Sequence, residues 1–376
     1  MIKNIKNIFL ACILCVILCG CGFRHDNRVV LKFTTWGSAS EMKILDPIIK
    51  DFEKQNPDIK IEVMHIPQDY MKKLHLLFAS NLAPDVLLIN NLSLPVYTKF
   101  LEPLDNVINK KDYFNQALNS MSVDNKLYAV PRDSSTLVVY YNKNIFYKCG
   151  VDFPEKDWTL EDMIAKSVSL TSKSHWGLSY EPKIYYALPF MHYLGGGILD
   201  NKESYIGENA SSLKGLNLYK GLVYKYHVAP TPAQTGSKTQ AQMFLEGKIA
   251  MHVSGRWLVP KYRECANFDW DVVNFPKSKA SVDSSGWAVS KSSKHKDKAI
   301  KFVLFLSNSK NIDKMTKDGL IVPSRVDVAN SETFINGKPK SSKLFLYALE
   351  NSNTTRVSKD YNKLVDKLTD KVFISK

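Results

Sequence analysis

The sequence predicts an α/β protein built as two closely interleaved lobes. A strand–helix–strand–helix–strand succession near the start implies a parallel sheet with helices on its faces. The chain has 376 residues, 44% of them hydrophobic. That exceeds the roughly 250–300 residues at which single cores stop growing, so two cores are expected. No Gly/Ser-rich linker separates two halves, so the lobes must share the chain rather than follow one another. The 18 Phe, 18 Tyr and 6 Trp exclude disorder as the main state, because they supply ample core-forming side chains.

The elements follow in order. Lys3 and Lys6 precede an apolar run from Ile8 to Leu18. That run is shorter than the about 20 residues a membrane span needs, and a basic start before a short apolar stretch is the pattern of a cleaved leader. Four of the six cysteines, Cys12, Cys15, Cys19 and Cys21, lie in or beside it, which removes Cys12 and Cys15 from any zinc or redox reading. Leu18-Cys19-Gly20-Cys21 resembles the bacterial lipobox, with a small residue before the cysteine that carries the lipid. Residues 1–20 are therefore expected to be a lipoprotein signal peptide, Cys21 the lipidation site and 21–28 a polar tether. Ordinary secretion with cleavage nearby is the alternative. Cys149 and Cys265 remain, either paired or as two separate buried thiols.

Val29 to Trp36 reads as a strand, almost continuous in apolar and Thr residues, as a strand covered on both faces should be. Leu45, Ile48, Ile49 and Phe52 recur at helical spacing, and the helix stops before Asn56-Pro57-Asp58. Ile59, Ile61 and Val63 alternate with Lys60, Glu62 and Met64 as a second strand. Tyr70 to Leu82 is helical, and Asp85 to Ile89 is a short buried strand. Further along, Leu137–Tyr141 and Lys248–Val253 are strands. Thr159 and Asp162 open a helix as a capping box. Leu216, Tyr219, Val223 and Tyr226 mark one helix face, Ala299, Phe302, Val303 and Leu306 another, and Leu364, Val365 and Leu368 a last one.

Chemical signatures are mostly absent. There is no phosphate-binding glycine loop, no dinucleotide fingerprint, no nucleophile elbow and no H-E-x-x-H. No catalytic residue, cofactor or metal is expected. The net charge of +14 comes from lysines dispersed among acids, as around Lys291 to Lys298. It reads as a solvated basic surface rather than a nucleic-acid interface. The aromatics say more. Trp36, Tyr140-Tyr141, Tyr185-Tyr186, Trp257 and Trp287 fall at expected strand ends or turns beside polar residues. In open α/β sheets such ends line the ligand crevice, and aromatic faces beside hydroxyl-binding side chains suit sugar rings. The same rings would also serve as core packing. Trp158 and Trp270 are read as structural.

Several blocks in order resemble the extracellular solute-binding proteins of bacterial ABC importers, in particular the sugar-binding family. They are Phe33-Thr34-Thr35-Trp36, Phe52-Glu53-x-x-Asn56-Pro57-Asp58, Ala83-Pro84-Asp85-Val86 and Tyr128-Ala129-Val130-Pro131, followed by Tyr140-Tyr141-Asn142-Lys143. The most specific block is Phe244-x-x-Gly247-Lys248-x-Ala250-Met251-x-x-Ser254-Gly255-Arg256-Trp257, followed by Gly286-Trp287-Ala288-Val289-Ser290 and Gly319-x-x-x-Pro323-Ser324. The resemblance spans about Val29 to Arg325. It implies the type II periplasmic-binding-protein fold, two lobes closing on a ligand at a hinge of crossing strands. Carried over, lobe one would be 29–131 with 287–320, and lobe two 132–286 with 321–376.

The resemblance also implies a site. Similarity to maltose-type binders points to Trp257 for stacking, with Glu181 and Tyr185 beside it. Similarity to glycerol-3-phosphate binders points to Tyr70, Asn91, Ser135 and Ser254, and Gly255 lies in the same block. Trp36, Glu41, Asn90 and Trp287 join them from their strand-end positions. No contact is assigned to the C-terminal tail, where the family usually continues with further helix. The implied function is capture of a carbohydrate outside the cytoplasmic membrane by a lipid-anchored protein, for delivery to the permease subunits of an ABC transporter. The alternatives are a polyol-phosphate binder using Arg132, Arg256 or Arg325, a secreted carbohydrate-active enzyme acting through a carboxylate such as Glu181, and a chemosensory or adhesion module.

Overall fold

The computed structural model describes residues 28–317, 319–336, 338–352 and 354–374. The expected leader, Cys21 and all of the tether but Arg28 lie outside the described residues. From the N-terminal side the chain forms β1 (Val29–Thr35), α1 (Ala39–Gln55), β2 (Ile59–His65), α2 (Tyr70–Ala79) and β3 (Val86–Asn90). The Ser38 hydroxyl caps α1 by accepting from the Glu41 N–H, and Asn56 ends it. The helix expected to reach Leu82 stops at Ala79. Asn81 takes a left-handed φ of 58°, which a helix cannot continue through.

The strands β4 (Val130–Ser135), β5 (Val138–Asn142), β6 (Trp176–Ser179), β7 (Ile249–Ser254), β8 (Trp270–Asn274) and β9 (Asp283–Val289) complete two sheets. The first sheet has the order β2-β1-β3-β9-β4 and the second β8-β5-β7-β6. The parallel β1–β2 and β1–β3 pairs carry out the expected βαβαβ unit. β9 enters antiparallel to both β3 and β4, so the first sheet is mixed rather than wholly parallel. The breaks expected after residues 131 and 286 fall inside β4 and β9, which pair with each other from Asp283 opposite Ser135 to Trp287 opposite Val130, with a register shift between Ser285 and Gly286.

One core cluster fills lobe one, with Phe33, Phe52 and Phe302 in ring contact at 4.9–5.3 Å. The second sheet separates two clusters. Along β5, Val139 and Tyr141 face one cluster and Val138 and Tyr140 the other, as the two-residue period of a strand requires. Trp158 and Trp270 are buried in lobe two, and the Trp158 indole donates to the Asn274 carbonyl at 2.8 Å. The Thr159/Asp162 capping box forms as expected at the start of α3 (Leu160–Ser169). The helix containing Leu216, Tyr219 and Val223 is α4 (Ala210–Tyr224). Tyr226 lies beyond its end, where its N–H bonds the Gly221 carbonyl. Cys149 and Cys265 are both exposed and unpaired, so neither the disulfide nor the buried-thiol expectation holds.

The lobes are joined by three crossing segments: β4, β9 and the stretch through Ile321–Ser324. They are tied to one another. The Ser134 N–H donates to the Val322 carbonyl and the Ser324 N–H to the Arg132 carbonyl. The Ser134 hydroxyl lies 2.9 Å from that of Ser284 and 3.1 Å from that of Ser324. Each crossing thus contributes one buried serine to a shared hydroxyl cluster.

Candidate functional site

A cleft of about 1020 Å³ lies between the lobes, against these crossings. Its lobe-one wall begins where β1 and β3 end, at Trp36 and at Asn90-Asn91. Its lobe-two wall contains Tyr185, Lys183, Arg256, Trp257 and Lys261, and the crossings supply Arg132, Asp133, Ser135 and Asp283 to Ser285. One half-buried indole comes from each lobe. Trp36 is braced edge-on by Tyr70 at 5.0 Å. Trp257 is 39% exposed. Its ring folds back over Gly255, where an added Cβ would sit 2.0 Å from the ring, so only glycine lets the indole take this pose.

Arg132 organises the lobe-one side. Its Nη1 donates to Glu41 Oε1 at 2.7 Å and its Nε to Asp133 Oδ1 at 3.1 Å. Its guanidinium lies 5.4 Å from the Trp287 ring centre. Burial alone works against the Arg132 charge, but Asp133 and Glu41 outweigh it and hold the guanidinium above its ordinary range. The Ser285 hydroxyl donates to Asp133. Gly37, at φ 121°, makes room for Glu41, whose carboxylate a side chain there would strike.

Asn91 spends both ends of its amide inside the protein. It donates to Asp283 Oδ1 at 3.0 Å and accepts from the Ser284 N–H at 3.1 Å. Burial raises the pKa of Asp283, and the neighbouring Thr355, Asn91 and Tyr185 oppose that rise. Asp283 Oδ2, the Ser135 hydroxyl and all three guanidinium nitrogens of Arg256 are buried without a hydrogen-bond partner. Buried polar atoms are rarely left so, and all of these residues line the cleft. The wall is therefore rich in donors and acceptors that the protein itself does not satisfy.

Of the residues singled out in the sequence, Trp36, Glu41, Asn90, Asn91, Ser135, Tyr185 and Trp257 converge on this cleft. Tyr70 stands behind Trp36, its hydroxyl 3.0 Å from that of Thr34, and acts as a support. Ser254 is buried at the end of β7, and the Gly255 carbonyl accepts from the Tyr140 hydroxyl at 2.8 Å. Glu181 does not line the cleft. It opens onto a neighbouring cavity of lobe two with Tyr180, Tyr219, Tyr224 and Gln240. Trp287 is 0% exposed and packs edge-on to Phe33 at 5.5 Å in the lobe-one core. Because β9 runs antiparallel, its amino end rather than the Trp287 region faces the ligand space. Sequence reasoning missed Asp133, Lys183, Lys261, Asp283, Ser284 and Ser285. The Asp283-Ser284-Ser285 run just before the Gly286-Trp287 block was the available signal. Among the described residues no group of His, Cys, Asp and Glu is arranged to hold a metal ion, and no helix is long and apolar enough to cross a membrane.

Comparison with known proteins gives a consistent result. A family described as bacterial extracellular solute-binding protein matches residues 47–340. The galactooligosaccharide-binding protein of Bacillus subtilis is 26% identical, over 90% of this chain and 84% of its own. The maltodextrin-binding protein of the same organism is 24% identical, over 80% and 74%. An ABC substrate-binding protein of Listeria monocytogenes, solved in complex with cycloalternan, superposes with a TM-score of 0.84 at 26% identity, covering 92% of this chain and 94% of that one.

Proposed function

The chain belongs to the bacterial extracellular solute-binding protein family, and from that premise we propose that its interlobe cleft captures a carbohydrate. The observation that carries this reading is the pairing of Trp36 and Trp257, one indole from each lobe, across a cleft whose walls hold unsatisfied polar atoms. Aromatic faces receive the C–H faces of a sugar ring, while Ser135 and Asp283 take its hydroxyls. Binding energy shared between lobes favours the closed arrangement over the open one. The similarity to galactooligosaccharide-, maltodextrin- and cycloalternan-binding proteins supports an oligosaccharide.

In this reading the protein binds and releases its ligand unchanged and hands it to the permease subunits of an ABC transporter. Glu181, one carboxylate through which an enzyme could have acted, opens onto a neighbouring cavity instead of the cleft. Arg325, one of the arginines a polyol phosphate would have needed, is engaged by Asp112 and Asp327. Lipidation at Cys21 would hold the mature protein on the membrane. Incorporation of labelled fatty acid, lost in Cys21→Ser, tests that arm.

The main test is intrinsic tryptophan fluorescence with calorimetry against galacto- and malto-oligosaccharides. A saturable response with no product formed is expected. A folded protein unresponsive to every saccharide overturns the reading.

A further inference from the structure

A second cavity, of about 720 Å³, belongs to lobe two alone. Its walls are the last two turns of α4, the turn after β6, the segment 230–240 and the C-terminal residues Val372 and Phe373. The chain passes from one cavity to the other within a few residues. Glu181 and Pro182 line this one, and Lys183 and Tyr185 line the interlobe cleft.

Two kinds of group meet there. Tyr224 is 63% exposed and Phe373 36%, and both open onto the same hollow. Exposed rings gathered on one polar-rimmed surface mark a recognition site, whereas scattered single ones do not. Tyr219 braces Phe373 edge-on at 6.1 Å. The Tyr219 hydroxyl also donates to the Glu181 carbonyl at 2.7 Å and so fixes that residue on the wall. Two of the polar groups are acceptors. Gln240 is 7% exposed, and its Oε1 is buried without a hydrogen-bond partner. Among the described residues the Glu181 carboxylate has no ion-pair partner.

Such a wall calls for a ligand with C–H faces for the rings and O–H donors for the acceptors. An apolar peptide would cover the rings but leave Gln240 and Glu181 unpaired. A cation would satisfy Glu181 but meet Lys220 and Lys238 on the same rim.

We propose that this cavity is a second saccharide-binding site, separate from the interlobe cleft. Tyr224 and Phe373 are its stacking rings, and Glu181 and Gln240 accept from sugar hydroxyls. Among the described residues none from lobe one lines it, so lobe closure neither forms nor seals it. Saccharide is held there in the open and closed states alike and exchanges without a domain movement. The site stands whatever the cleft itself binds.

The test is calorimetry with tryptophan fluorescence on the mature protein, using malto- and galacto-oligosaccharides. Trp36 and Trp257 report on the cleft, whereas no tryptophan lines the second cavity. Two binding events are therefore expected, one with a fluorescence change and one silent. Replacing both exposed rings, Tyr224→Ala with Phe373→Ala, should weaken the silent event at least about tenfold and leave the fluorescent one unchanged. On the wild type, a diazirine-bearing oligosaccharide should label the peptides containing 219–224 and 372–373. A single event with no label in those peptides, or a silent event unchanged in the double variant, overturns the inference and leaves cleft capture standing. A silent event without a fluorescent one overturns cleft capture and leaves this site standing.

Discussion

The two walls of the cleft solve the same problem in opposite ways. Each buries an arginine. On the lobe-one side Arg132 is enclosed by Glu41 and Asp133 and braced on Trp287. On the lobe-two side Arg256 has rings in place of carboxylates. The first arrangement pairs its charge with carboxylates, and the second holds it between aromatic faces of the lobe-two core. Ring faces steady a cation but leave its in-plane N–H groups without acceptors, which makes the second arrangement the costlier one.

Substituting the two arginines gives the largest contrast. Arg132→Met strands two carboxylates in a buried setting and should cost about 3–5 kcal/mol of stability, read as a fall in the urea midpoint. Arg256→Met should leave the unliganded protein as stable as the wild type or more so, because it removes a buried charge that has no partner. Equal losses in both would erase the distinction between the walls.

Acid should separate the lobes next. His252 is buried and His192 half-buried in lobe two, and desolvation holds their pKa values at about 3 and about 4, against an ordinary 6.5. The folded state keeps them neutral, while the unfolded chain protonates them below 6.5. Stability from each is therefore complete above that pH and is lost as the pH falls toward the folded value. The loss approaches about 1.4 kcal/mol per pH unit for each histidine. Hydrogen exchange between pH 6.5 and 4 should show lobe two loosening first, and His252→Gln should flatten the dependence.

Replacing the indoles compares the walls as binding surfaces. Trp257→Ala should weaken sugar binding by about 1–2 kcal/mol, roughly five- to thirtyfold, with little change in unfolding because the ring is partly exposed. Trp36→Ala should weaken binding similarly but also release Tyr70, so its unfolding midpoint should drop as well. The smallest effect belongs to the hinge between the walls. Ser134→Ala removes the shared hydroxyl and should cost about 1 kcal/mol, measured by denaturation.

Much of the fold could be read from periodicity, because β1, α1 and β2 each announce themselves through local spacing. The direction of β9 could not. The rule that ligands gather at carboxyl ends of strands, applied to the parallel β1 and β3, leads to Trp36, Asn90 and Asn91, which lie on the cleft wall. Applied to the antiparallel β9 it selects the buried Trp287 and overlooks Asp283, because pairing direction is set by contacts with strands nearly 200 residues away. Asn91 shows a different gap. Its position on the wall was legible, but its amide is committed to Asp283 and Ser284, and only tertiary structure reveals what a side chain has left to offer. The partnerless state of Arg256 is hidden for the same reason, since Phe334 and Phe345 come from distant sequence.

The three crossings also set how the molecule comes apart. No single cut in the chain can divide it into its lobes, since two connections remain after any one nick. A protease must cleave all three passages, and these are the buried, mutually bonded strands around Ser134, Ser284 and Ser324. Nicks elsewhere on the surface leave both halves tethered and in register. In an environment shared with secreted proteases, damage to an outer loop is thereby kept from becoming separation of the lobes.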